Sequence, residues 1–156
     1  MARAAAAGNT FGVPAFDDYE ALLQRADIDI VCICTESGRH LEPTLAAARA
    51  GKHVLCEKPL EVTLARADRM IEACRAAGVK LGCIFQHRFS DDYRKLRRAV
   101  RAGRFGRLLL GNAYIKWYRD DAYYASSAWR GTLRGDGGAA LINQGIHTID
   151  LLLDVM

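Results

Sequence analysis

The sequence predicts an α/β fold on a parallel sheet, and three observations carry it. Strand-like runs recur at Ile28 to Cys34, His53 to Cys56 and Val79 to Phe85, the first near-continuously apolar and rich in β-branched residues. Segments of helical period fill the gaps between them, and the links are short. Strand, helix, strand, helix, strand in that order argues for right-handed βαβ units. After Gln86-His87-Arg88 this rhythm changes.

From the start, residues 2–7 are alanine-rich and end at Gly8-Asn9, which predicts the last turns of a helix stopped by glycine. Phe11 to Phe16 reads as a short extended piece, with Pro14 favouring an edge position. Asp17 or Asp18 caps a short helix through Tyr19, Leu22 and Leu23. Ile28 to Cys34 has the near-continuous apolar character of a strand buried on both faces. A polar loop, Thr35 to His40, leads into a helix that ends at Gly51, with Pro43 tolerable only in its first turn. Thr63 caps the next helix, which sets Leu64, Ala67, Met70, Ile71, Cys74 and Ala77 on one face and stops at Gly78. A basic helix spans about Ser90 to Ala102, Gly103 and Gly106 turn the chain, and a longer strand follows from Leu108 to Trp117. Residues 118–138 form a polar, aromatic, glycine-rich loop, and a loop that long is more often functional than idle. From Ala139 to Met156 the period is helical, with Leu141, Ile142, Ile146, Ile149, Leu152 and Leu153 on the core side.

With 51% hydrophobic and 26% charged residues, the 156-residue chain can build a packed core. No apolar run approaches the roughly 20 residues of a bilayer span. The opening Met1 to Ala7 lacks the apolar core of a secretory signal. Five cysteines in apolar settings read as free buried thiols of a reducing compartment, the cytoplasm. Cys32-x-Cys34 lacks the second pair that a zinc site needs, so no metal is expected. The net charge of +4 is unevenly spread. Arg94, Lys95, Arg97, Arg98 and Arg101 take one side of the basic helix and Tyr93, Leu96 and Val100 the other. That is an amphipathic helix with a solvated face, and no interleaved aromatics suggest nucleic-acid binding.

Two constellations carry chemistry. In Gly51 to Leu60 an apolar strand stops at Glu57-Lys58, and Pro59 blocks its extension. Lys58 is thereby held on rigid backbone at the carboxyl end of a strand, where α/β sheets bind ligands. Asn143 and His147, four apart on the last helix, project from one face, and Asp150 follows one turn on. Histidine is the natural acid/base near neutral pH. An alcohol losing a hydride must also lose its hydroxyl proton. A cation that stabilises the developing alkoxide and an imidazole that takes the proton make a working pair, which Glu57 would tune or orient. Taken singly, each has a plainer reading, as a surface lysine or a structural histidine; the pairing favours chemistry.

The order from Asp27-Ile28-Asp29-Ile30-Val31 through Gly51-Lys52-His53-Val54-Leu55-Cys56-Glu57-Lys58-Pro59 to Gly145-Ile146-His147-Thr148-Ile149-Asp150 resembles the Gfo/Idh/MocA family. These are enzymes of the glucose–fructose oxidoreductase and inositol dehydrogenase type. The resemblance implies a partial Rossmann-type parallel sheet in residues 1–87. The beginning of an α+β substrate and oligomerisation domain would follow in residues 88–156. It implies NAD or NADP as cofactor and hydride transfer between nicotinamide and a ring hydroxyl of a sugar, nucleotide-sugar or cyclic polyol. Residue by residue, Lys58 would touch nicotinamide and substrate, and His147 would be the base. Thr35, His40 and Glu57 would line the nicotinamide side. Arg88, with Trp129 and Arg130, would close the site over cofactor or substrate.

The chain departs from that pattern in two places. Many relatives carry aspartate where Asn143 stands, and an amide cannot take a proton, so Asn143 can only hydrogen-bond and orient. Some relatives acting on sugar or nucleotide-sugar rings share Asn-Gln before Gly-Ile-His, which tilts the expected substrate that way. The family's opening strand, Gly-x-Gly-x-x-Gly turn and helix, which hold the pyrophosphate, do not occur in these residues. The chain also stops inside its last helix, where the family continues through a large open sheet. An internal fragment or incomplete gene model is therefore expected, one that binds dinucleotide weakly alone and forms a homo-oligomer at full length. Two rival readings stand beside this one: an NAD-using glycosidase-like relative that recycles its cofactor, and a catalytically inactive binding module.

Overall fold

The computed structural model describes residues 2–138 and 140–156. The chain opens with α1 (Ala2–Phe11) and α2 (Tyr19–Leu23). Helix α1 continues past Gly8, and its stop is Gly12 at φ +65°, where Val13 N–H returns to Gly8 O at 3.0 Å. Gly8 is instead a crossing point: a Cβ there would lie 2.8 Å from Val13 O. Residues 13–16, expected as an edge piece, pair with no strand among the described residues. Asp18 caps α2 by accepting Glu20 N–H at 2.9 Å.

Strands β1 (Ile30–Ile33), β2 (His53–Glu57) and β3 (Leu81–Ile84) form a parallel sheet in that order, with Val31, Val54 and Leu81 in register. Helices α3 (Leu41–Arg49) and α4 (Leu64–Ala76) make the crossovers. Gly51 closes α3 at φ +71°, with Lys52 N–H on Ala47 O at 2.9 Å, the left-handed stop that glycine adopts without strain. Thr63 caps α4 through Arg66 N–H. The start of α3 is closed from a distance: buried Glu61 accepts Leu41 N–H at 3.0 Å.

Leu41, Ala47, Val54, Cys56, Met70 and Cys74 are at the centre of the core, with Leu23 and Ile33. Two consecutive right-handed crossovers in one direction put both helices on the same side of the sheet. Burial of the first strand on both faces therefore does not hold. Ile30 is 59% exposed, and Leu55 and Cys32 are exposed too. The cysteines divide accordingly. All five are free thiols, but Cys32 and Cys34 are exposed, Cys83 is half-buried, and only Cys56 and Cys74 are buried. Burial pushes the Cys56 thiol up to about 12.

Beyond β3, a 3₁₀ turn (Gln86–Phe89) leads into α5 (Asp91–Arg101). The strand expected at 108–117 has no ladder partner among the described residues, and Leu109 and Tyr114 are 79% and 80% exposed. Alternation marks the two sides of an extended segment but cannot supply a neighbour to pair with. The expected long loop contains two short helices, α6 (Asp121–Ala125) and α7 (Leu133–Asp136), capped by Asp120 and Thr132. The last segment is not one regular helix. A π-helical turn (Ala140–Gly145) precedes α8 (Ile146–Val155), and the expected start at Ala139 lies outside the described residues, as does Met1. Leu141 and Leu153 point to solvent, whereas Asn143 and His147 are each only 7% exposed. Helix α8 is tied down by Arg88, whose guanidinium donates twice to Asp150 at 2.6 Å and once to Asp154 at 3.1 Å. No helix of the described residues is long and apolar enough to cross a membrane.

Candidate active site

A cavity of about 510 Å³ opens where β1 and β2 end. Thr35, Ser37, Glu57 and Lys58 line it from the sheet half. His87, Trp117, Arg119, Tyr123, Trp129, Arg130, Asn143, Gln144 and His147 line it from the second half.

Lys58 leaves the sheet one residue past β2, and the Lys58–Pro59 peptide is cis. Its backbone N–H donates to Glu57 Oε2 at 3.1 Å. Its Nζ donates to Asn143 O at 2.8 Å and to Asn143 Oδ1 at 2.6 Å. An ammonium has three donors, so one remains for a guest in the cavity. The amide of Asn143 is fixed in turn, because its Nδ2 donates to Asp136. Asp136, 1% exposed, also accepts Gly131 N–H at 2.8 Å. A carboxyl oxygen can face only the NH₂ side of the amide, which turns Oδ1 toward the lysine. Burial lowers the Lys58 pKa from its ordinary value, opposed in part by the charges of Glu57 and Asp136.

His147 lies against the ring of His87, centroids 4.5 Å apart and planes 25° from parallel. Its Nδ1 is shut away without a hydrogen-bond partner. Burial lowers the His147 pKa first, and the nearby charges of Lys58 and His87 lower it further. Near neutral pH the imidazole of His147 is thus uncharged. Since the shift is downward, the folded state holds fewer protons than the unfolded one below pH 6.5. The stability linked to His147 is present above that value and is lost as pH falls through the depressed pKa. In an NMR titration His147 is expected to titrate below 6.5, and Lys58→Met is expected to move its midpoint upward. An unmoved midpoint would show that the two groups do not feel each other.

Of the residues singled out from sequence, Thr35, Glu57, Lys58, Trp129, Arg130, Asn143 and His147 meet at this cavity. His40 and Arg88 lie elsewhere. His40 is buried, with Nδ1 2.9 Å from Pro59 O and Nε2 3.2 Å from Thr35 O, so it fixes the two loops that carry Lys58 and Thr35. Arg88 is taken up by Asp150 and Asp154 and positions the helix that carries His147. Sequence reasoning passed over His87, Arg119, Gln144 and Asp136. His87 adjoins Arg88 at a strand end, which was a usable signal; Asp136, inside a glycine-rich turn, gave none. Among the described residues no group of three His, Cys, Asp or Glu could hold a metal ion.

A lysine at the carboxyl end of a parallel strand, with an imidazole lining the same cavity, lies where α/β sheets bind ligands. Known proteins agree. Residues 1–85 match the oxidoreductase family with an NAD-binding Rossmann fold, Gfo/Idh/MocA, and residues 93–156 match a C-terminal domain of the same family. The 1,5-anhydro-D-fructose reductase of Ensifer adhaerens is 38% identical over 137 residues, 88% of this chain and 40% of that protein. The D-glucoside 3-dehydrogenase of Escherichia coli is 34% identical over 143 residues, 90% of this chain and 39% of that protein. The WlbA dehydrogenase from Bordetella pertussis, solved in complex with NADH and UDP-GlcNAcA, superposes with a TM-score of 0.88 at 33% identity, covering 98% of this chain and 44% of that one. The chain belongs to the Gfo/Idh/MocA oxidoreductase family, and it spans about two fifths of the length of these relatives. The partial Rossmann-type sheet and the nicotinamide dinucleotide expected from the sequence both agree with that membership.

Proposed function

We propose that these residues form the reacting end of an NAD(P)-dependent oxidoreductase acting on a ring hydroxyl of a sugar, nucleotide-sugar or cyclic polyol. Residues 1–87 would supply the nicotinamide side and residues 88–156 the substrate side. The observation that carries this is the anchored lysine: Nζ is held by both oxygens of Asn143 and keeps one donor free in a cavity that His147 also lines.

The residues present fit the nicotinamide end of the dinucleotide. Thr35, Glu57 and Lys58 floor the cavity at the strand ends, and Trp129 and Arg130 stand opposite, with the enclosed Nε of Arg130 lacking a partner. When bound, nicotinamide supplies the carbon that accepts hydride. Lys58 holds the substrate hydroxyl oxygen and stabilises negative charge growing on it. His147 takes the hydroxyl proton at Nε2, uncharged and ready at neutral pH because its pKa is depressed. Asn143 cannot exchange a proton and orients Lys58.

The full-length protein, purified and given NAD or NADP with glucose, myo-inositol and UDP-linked sugars, is expected to accumulate reduced nicotinamide with at least one of them. Net accumulation separates this activity from a glycosidase that recycles its cofactor. No reduction of either cofactor across the panel would overturn the assignment.

A further inference from the structure

Two arginines converge on one tyrosine ring at the mouth of the cavity. The guanidinium carbon of Arg119 lies 5.1 Å from the Tyr123 ring centroid and that of Arg130 4.5 Å. A chain of hydrogen bonds to uncharged partners holds them in place. Arg130 Nη1 and Gln144 Nε2 both donate to the Tyr123 hydroxyl at 2.6 Å, and Arg119 Nη2 donates to Gln144 Oε1 at 3.1 Å. Neither guanidinium forms an ion pair with a carboxylate among the described residues. The cavity lining is lopsided as well, with Glu57 its one carboxylate against Lys58, Arg119 and Arg130. Two like charges gathered this closely repel unless a counter-charge sits between them. The planar forks of arginine are the side chains best matched to carboxylate or phosphate oxygens.

We propose that Arg119 and Arg130, splinted by Tyr123 and Gln144, form a receptor for an oxyanion carried by the substrate, so that the preferred sugar is an acidic one. This rests on the oxidoreductase reading for its meaning, but its test does not need turnover. Lys58 and His147 act on the hydroxyl, and the arginine pair decides which ring presents that hydroxyl by gripping a carboxylate or phosphate elsewhere on the molecule. The neutral partners matter to this reading. A carboxylate in place of Gln144 would satisfy Arg119 internally and leave nothing for a guest.

The chain has two tryptophans, Trp117 and Trp129, and both line the cavity, so intrinsic fluorescence reports occupancy. Titrations with D-glucuronate, glucose 1-phosphate and D-glucose, with and without NADH, are expected to show at least about tenfold tighter binding of one or both anions than of glucose. The two anions distinguish a carboxylate source from a phosphate source. Arg119→Gln should bring the ratio of glucose to anion dissociation constants near unity. Arg119→Lys, which keeps the charge but loses the fork, should fall between. Arg119 is exposed, so these variants leave the core untouched. Equal affinity for glucose and both anions, or a preference that survives Arg119→Gln, overturns the proposal. So does a variant that weakens NADH while the sugar preference stays intact, since the pair would then serve the cofactor's diphosphate. An acid preference without any nicotinamide reduction would leave the receptor standing and remove the redox function instead.

Discussion

Lys58→Met is expected to lower NAD-linked turnover about a thousandfold or more, the range seen when a single electrostatic or acid–base group is removed from a reacting centre. Methionine keeps the length and apolar stem of the side chain, so the loss would come from the ammonium alone. Its partners make the effect specific. Asn143 would keep its bond to Asp136 but lose the cation on Oδ1, and the depressed pKa of His147 would relax upward. Steady-state kinetics as a function of pH check both points together. The residual activity should be low, and its acid limb should stand at higher pH than that of the unsubstituted protein. Near-normal kcat with this substitution would remove Lys58 from the mechanism.

Asp136→Ala is expected to cost about 1–3 kcal/mol of stability, as well as activity. The carboxyl group is buried and accepts from Asn143 Nδ2 and from Gly131 N–H. Its removal strands the buried Nδ2 donor of Asn143, worth roughly 1–3 kcal/mol when left unsatisfied, whereas the exposed Gly131 can turn its N–H to water. The amide of Asn143 is then free to rotate, and Lys58 loses a fixed acceptor. Urea unfolding midpoints measure the first effect and kcat/KM the second. Asp136→Asn provides the control: its amide can still accept from one of the two donors, so it should recover part of the stability. An alanine variant as stable and active as the parent would show that the Asp136–Asn143–Lys58 chain has no energetic weight.

Much of this cleft could be read from residue order because it depends on local rules. Glu57-Lys58-Pro59 follows an apolar run, and the structure ends β2 at Glu57 with Lys58 immediately after. Asn143 and His147 share a face by spacing, and both line the cavity although a π-helical turn replaces the regular helix at Asn143. Thr63 and Asp18 cap the helices they precede. The misreadings share a different cause. Residues 108–117 alternate as a strand would, but pairing is a property of two segments, and no described segment forms a ladder with them. Gly8 reads as a helix stop because glycine serves both as a stop and as a crossing point, and only the path of Val13 and Ala15 distinguishes them. Glu61 and Asp136 do their work on residues far away or inside an irregular turn, where periodicity carries no information.

The bond between Lys58 and Asn143 joins positions 85 apart in the chain. Closing so large a loop is entropically costly, and the other ties across it include the partly exposed ion pairs of Arg88 with Asp150 and Asp154, whereas the sheet packs on a buried apolar core. The β1–β2–β3 sheet and its crossover helices can therefore outlast the cleft under mild denaturant, with the lysine slipping its anchor while the strands remain protected. Inactivation would then run ahead of melting, as an early warning of damage that circular dichroism would miss.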